Sequence, residues 1–147
     1  MCYTMSVHKH VYASGFLYHL PTEQILLQQP ITRDASPSAW NMFGGESLRG
    51  EDAQTAFRRI MYDHIKIRLE PKRLFPVYDY MPDANHIVHY VFYAEVKRLY
   101  TFPSYDKGTL SWFTFKKVAK LGLAPQVKQD VMISERVIGA QARSNLA

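Results

Sequence analysis

Between residues 51 and 64 the chain sets Glu51, Arg59, Asp63 and His64 at spacings that a helix can use for chemistry. Positions 60, 63 and 64 lie three and four residues apart, so on a helix they share one face. That face offers a hydrocarbon at Ile60, a short carboxylate at Asp63 and an imidazole at His64. Carboxylates suit hard divalent cations, and magnesium is held by carboxylates, waters and substrate phosphates together. Imidazole suits zinc, copper, iron or nickel better than magnesium. Ile60 has no lone pair and can neither bind a metal nor act as a base.

The element that must position these groups is Trp40 to Ile67, WNMFGGESLRGEDAQTAFRRIMYDHIKI. It reads as a strand over Trp40 to Phe43, a glycine turn at Gly44 and Gly45, and a helix over about residues 51–66. Glycine permits both a tight turn and a close approach to a ligand. Phe57, Met61 and Ile65 recur every four residues and should face a sheet, with Ala53, Ala56 and Ile60 on the adjoining stripe. Ile60 therefore also reads as wider core coverage. Glu51 falls at the helix start, where negative charge is favoured. Arg59 either holds Glu51 and the preceding loop or faces water.

This stretch resembles the signature of the Nudix superfamily, whose enzymes cleave diphosphate bonds in nucleotide-type molecules with magnesium or manganese. The pattern is G-x5-E-x7-R-E-U-x-E-E-x-G-U, where U is a bulky aliphatic residue. Laid on without gaps, it falls on Gly45, Glu51, Arg59, Met61 and Ile67. It departs at Ile60, Asp63 and His64, where the pattern has glutamates, and at Lys66, where it has glycine. Phe43 stands where many members have proline. The resemblance implies a catalytic set of Glu51, Arg59, Asp63 and His64. It implies metal ligation by the Gly44 carbonyl, Glu51, Asp63 and His64, with Mg2+ or Mn2+ as the cofactor if the site is active. Many active members carry another acid just before a late tryptophan, a place taken here by Ser111.

Losing a positioned general base alone costs roughly 10²–10⁴-fold in rate. One reading is a divergent, weak or inactive pyrophosphohydrolase of nucleoside diphosphate derivatives, with Glu46, Asp52 or Glu95 as a compensating acid. Another is a non-catalytic module that binds a nucleotide-type diphosphate or a protein. A third is a structural or dimerising domain, because strands rich in Tyr and Phe are compatible with a homodimer face.

At 147 residues the chain reads as a single domain, 1–147, long enough for one sizeable core. Its net charge of +5 suits anionic ligands, although such charge is also common in proteins that bind none. Cys2 is the only cysteine, so no intrachain disulfide can form. Residues 1–20 lack a secretory signal pattern, and no stretch approaches 18 apolar residues. A cytoplasmic protein that engages no membrane is the expectation, and no nucleic-acid-binding motif is visible.

Along the rest of the chain, residues 7–20 read as an extended segment and a strand. His8 and His10 share one of its faces, as a paired metal site or as two exposed histidines. Gly15 marks a bulge or a close backbone approach. Residues 15–29 suggest a hairpin around Pro21-Thr22-Glu23. Residues 30–39 read as a loop in which Arg33 meets a phosphate or water. Residues 73–81 suggest a strand that Pro76 confines to an edge or breaks. After a turn at MPDAN, residues 86–98 form the clearest strand. His86 and His89 point to opposite faces of it, while Tyr90 and Phe92 share one, for base stacking or for core packing. Thr101 to Gly108 reads as a loop. A tryptophan strand, a short helix, Pro125 and a last helix follow, with QARSNLA expected to fray. Lys116, Lys117 and Lys120 attract phosphate or face solvent. The resemblance spans nearly the whole chain and implies the α+β class, a Nudix-like α/β/α sandwich with a central mixed β-sheet.

Overall fold

The computed structural model describes residues 10–34, 38–82 and 87–146. Cys2, His8 and His86 lie outside these residues, as does most of the MPDAN turn. Among the described residues six strands form one sheet: β1 (Val11–His19), β2 (Gln24–Pro30), β3 (Phe43–Glu46), β4 (Leu74–Tyr80), β5 (Val88–Val96) and β6 (Gly108–Thr114). The helices are α1 (Ala53–Ile65), the single turn α2 (Phe115–Val118) and α3 (Pro125–Leu146).

β1 is the spine of the sheet. It runs parallel to β5 along its whole length, from Val11↔Val88 to His19↔Val96. A strand has two hydrogen-bonding edges, and the second edge of β1 is divided. β3 takes Tyr12 to Gly15, and β2 takes Tyr18 and His19, both antiparallel. β4 closes one side of the sheet and β6 the other. Pro76 sits on the edge strand β4, where the register slips between Pro76 and Tyr78, as a residue without an N–H requires.

The strand period of two sorts side chains to opposite faces. On β1, Ala13 and Leu17 pack toward α1, with Phe57, Met61 and Ile65 of that helix. Phe16 and Tyr18 pack the other way, with Val131 and Ile138 of α3. On β2, Leu26 joins the α1 side while Ile25 and Leu27 join the α3 side. The result is the expected mixed sheet between helices. Phe92 is buried against Phe57, with rings 5.6 Å apart, so it is core rather than a base-stacking surface. Among the described residues, no helix is long and apolar enough to cross a membrane.

Three expectations are corrected. The strand before the helix is Phe43–Glu46 rather than Trp40 to Phe43, and Asn41 contributes only an isolated bridge to Gln28. Gly44 and Gly45 therefore lie inside a strand, paired with Ser14 and Ala13, and make no turn. The chain reverses at Arg49 and Gly50, where Gly50 holds φ at 86° in the left-handed region. Finally, residues 141–146 of the segment expected as a loose tail are the last turns of α3, which continues to Leu146.

Candidate functional site

The site is built on α1 and the loop before it. Asp52, rather than Glu51, opens the helix: its carboxylate accepts from the Thr55 N–H at 2.8 Å as an N-cap. That bond holds the Asp52 carboxyl below its usual range. Glu51 stands just outside the helix and is bound on both oxygens. It accepts from the Leu48 N–H at 2.7 Å, from Arg59 Nε at 2.8 Å and from Arg59 Nη2 at 3.1 Å. The bond from Arg59 comes first among the causes that lower the Glu51 pKa, ahead of the opposing effect of burial. Arg59 Nη2 also donates to the Glu46 carbonyl at 3.0 Å. One guanidinium thus fastens residues 46–51 to the middle of α1, so Arg59 holds the loop instead of facing water.

The apolar stripe explains the two glycines. Ile60 is 4% exposed, and a Cβ added at Gly45 would come 3.2 Å from its Cδ1. A Cβ at Gly44 would come 2.9 Å from the Tyr12 hydroxyl. The pair lets Tyr12 and Ile60 lie close to the strand. Gly15 serves the same purpose more severely, since its Cβ would lie 2.0 Å from the Phe92 carbonyl oxygen.

Asp63 and His64 are less buried than Ile60. The Asp63 carboxylate is exposed, with one oxygen 3.5 Å from Arg59 Nη1. The His64 ring is half-buried, edge-on to Phe43 with centroids 5.7 Å apart. Its Nδ1 is buried without a hydrogen-bond partner. Burial, and then the nearby Lys107 charge, push its pKa below 6.5 against the pull of Asp63, which favours a neutral ring at neutral pH.

These residues border a cleft of about 480 Å³ between the end of α1 and the β5–β6 loop. Asp63, His64 and Lys66 form one wall; Phe102, Tyr105 and Lys107 stand on the other. Tyr105 is braced by donating its hydroxyl to Gln28 Oε1 at 3.2 Å, and Gln28 in turn donates to the Met42 carbonyl at 3.0 Å. A second cleft of about 530 Å³ opens at the start of α1, beside Asp52, Gln54, Tyr78, Asp79 and Tyr90.

The structure places Gly44, Glu51, Arg59, Asp63 and His64 on α1 and on the strand and loop before it: Arg59 links Glu51 to Asp63, while His64 packs edge-on to Phe43 beside Gly44. The acids expected to compensate are engaged or distant. Glu46 is exposed and hydrogen-bonded to His10 Nε2 at 2.6 Å. Asp52 is the cap. Glu95 is in register with Tyr18, which packs on the α3 side of the sheet, and Ser111 is paired with Leu27 on that same side. Arg33, Lys116, Lys117 and Lys120 are exposed. The residue that sequence reasoning passed over is Lys107. Nothing local marks a lysine in a polar loop, and only the folding of that loop against α1 brings it to the cleft.

No protein-family model matches the chain, and neither does any curated protein sequence. Solved structures do. The Nudix domain of NrtR from Shewanella oneidensis, in cocrystal with ADP ribose, superimposes with a TM-score of 0.67 at 13% identity, over 87% of each chain. A chain in the crystal structure of the complex between the C-terminal domain of mouse MUTYH and human PCNA gives 0.65 at 12% identity, over 90% of this chain and 91% of that one. The dihydroneopterin triphosphate pyrophosphohydrolase of E. coli gives 0.62 at 18% identity, over 88% of this chain and 95% of that one. In fold, this chain is a Nudix-like domain.

Proposed function

We propose that the chain is a binding module for a nucleotide-type diphosphate, built on the Nudix fold with its hydrolytic chemistry disabled. The observation that carries this reading is Ile60. A hydrocarbon buried against Gly45 occupies the helix position nearest the glycine strand. The remaining donors do not fit magnesium or manganese. Such ions need several free oxygens arranged around them. Here both Glu51 oxygens are already bound by N–H donors, and Asp63 lies beside Arg59. His64 offers a nitrogen that suits other metals. Among the described residues no three of His, Cys, Asp and Glu are grouped to hold an ion. Support for the ligand class comes from the neighbour that was crystallised with ADP ribose.

A residual pyrophosphohydrolase is the competing reading, favoured by the exposed Asp63 carboxylate beside His64. The test is to incubate the protein with ADP-ribose and magnesium or manganese, following AMP release by chromatography and the thermal midpoint in parallel. The expected result is ligand-dependent stabilisation without AMP release, since a ligand bound only by the native state raises its stability. AMP release in proportion to protein concentration overturns the proposal.

A further inference from the structure

We propose that the cleft at the end of α1 takes the diphosphate directly on the ammonium groups of Lys66 and Lys107, without a bridging metal ion. The inference rests on the binding reading above and names the groups that would perform it.

Lys66 Nζ and Lys107 Nζ each lie 3.4 Å from the same main-chain oxygen, that of Asp63. The two nitrogens are thus no farther apart than twice that distance, although they come from elements separated by more than forty residues. The shared carbonyl belongs to the last turn of α1, where unpaired carbonyls and the negative end of the helix dipole attract cations. That attraction lets two like charges sit together. It uses one of the three donors of each ammonium, and among the described residues neither is in a salt bridge. Both line the 480 Å³ cleft, which is within the range of small-molecule sites.

The backbone adds a second, independent observation. Lys66 holds φ at 61° and ψ at 28°, the left-handed C-cap that favours glycine. A lysine there is a local cost to the fold, and such costs concentrate where a side chain has a task. Two acids share the cleft with the pair: Asp63, whose carboxylate lies 3.5 Å from an Arg59 guanidinium that also binds Glu51, and Asp106, which is exposed like the two lysines. Phosphate oxygens are acceptors only, so two converging ammonium groups match them in charge and in hydrogen-bonding sense.

The test is calorimetric titration of the intact protein with ADP-ribose, in EDTA and again in millimolar magnesium. The wild type, Lys107→Gln and Lys66→Gly are compared. The expected affinity in EDTA is at least that in magnesium, because magnesium competes with the ammonium groups for the diphosphate. Each variant should bind about ten- to a hundredfold more weakly, the loss that one charge-assisted hydrogen bond represents. Lys66→Gly is the control for folding, since it relieves the backbone and should raise the thermal midpoint while lowering affinity. Wild-type binding that requires magnesium, or that survives both substitutions unchanged, overturns this inference and leaves the binding reading intact. No binding of ADP-ribose under either condition overturns both.

Discussion

Arg59 grips Glu51 with two of its nitrogens, Nε on Oε2 at 2.8 Å and Nη2 on Oε1 at 3.1 Å. A forked guanidinium on a carboxylate is geometrically specific, and a lysine cannot reproduce it. The Glu51 side chain is only 14% exposed, so solvent screens the pair partially. Arg59→Ala should cost about 2 kcal/mol, the scale of a hydrogen bond to a charged group. Arg59→Lys should recover less than half of that. Urea denaturation measures both. Hydrogen exchange at the Leu48 amide, which Glu51 also binds, should accelerate in both variants. An unchanged Leu48 amide would mean that the loop is held by something else.

The clamp was legible only as one of two readings, because the spacing of Glu51 and Arg59 also allowed an arginine that faces water, and the folded loop decides between them. The core face of α1 was fully legible, since a four-residue recurrence of Phe57, Met61 and Ile65 has only one helical reading. The glycines were not. Gly44 and Gly45 look the same whether they turn the chain or let Tyr12 and Ile60 approach it, and only the neighbours decide. Gly50, where the chain turns with φ at 86°, carried no mark distinguishing it from them. The cleft was legible on its helix wall alone. Lys107 is brought there by loop closure after β5, and no periodic pattern encodes that.

The lysine at the end of α1 gives a stability prediction separable from binding. At φ 61°, replacing Lys66 by glycine removes the strain between Cβ and backbone. The gain should be about 0.5–1 kcal/mol, net of the greater chain entropy of glycine. Lys66→Ala keeps the Cβ and should show no such gain. A thermal melt of the two variants beside the wild type checks this without any ligand.

Ile60 gives a larger effect of opposite sign. Placing a carboxylate at a position 4% exposed, beside Gly45, leaves a buried charge whose partner Arg59 is already occupied by Glu51. Ile60→Glu should lose about 3 kcal/mol at neutral pH, the lower end for an uncompensated buried charge. Part of that loss should return on acidification as the new carboxyl protonates. Denaturation midpoints that match the wild type would mean that the position opens to solvent easily.

His64 makes stability depend on pH. Its folded pKa lies below 6.5, chiefly because burial disfavours the charged ring and also because of Lys107. A depressed pKa means that the unfolded chain binds the proton more readily. The contribution is therefore complete above the unfolded value and is lost as pH falls through the folded one. The wild type should lose stability as pH falls below about 6.5, and His64→Leu should flatten that part of the curve. Equal slopes for the two proteins in urea titrations would remove His64 from the account.

The far side of the sheet carries a buried carboxylate that ties α3 to the edge strand β4. Asp130 is 2% exposed and accepts from the Tyr78 hydroxyl, with Gln126 donating at 2.9 Å to the same oxygen. The Tyr80 hydroxyl reaches the other oxygen at 3.5 Å, the outer limit of such a bond. The Tyr80 bond is therefore the weaker of the two. Tyr78→Phe should cost about 2 kcal/mol, because it strips a buried acceptor of a donor. Tyr80→Phe should cost below about 1 kcal/mol. Burial, and then the Asp130 hydrogen bond, also raise the Tyr78 pKa well above 10. A raised folded pKa leaves the contribution intact below 10 and removes it as the phenol ionises above that value. Ultraviolet titration should thus find a tyrosine that resists ionisation in the native protein and disappears in Tyr78→Phe. If the two variants melt alike, the bond from Tyr78 is no stronger than the long one from Tyr80, and α3 is held to β4 by its apolar contacts.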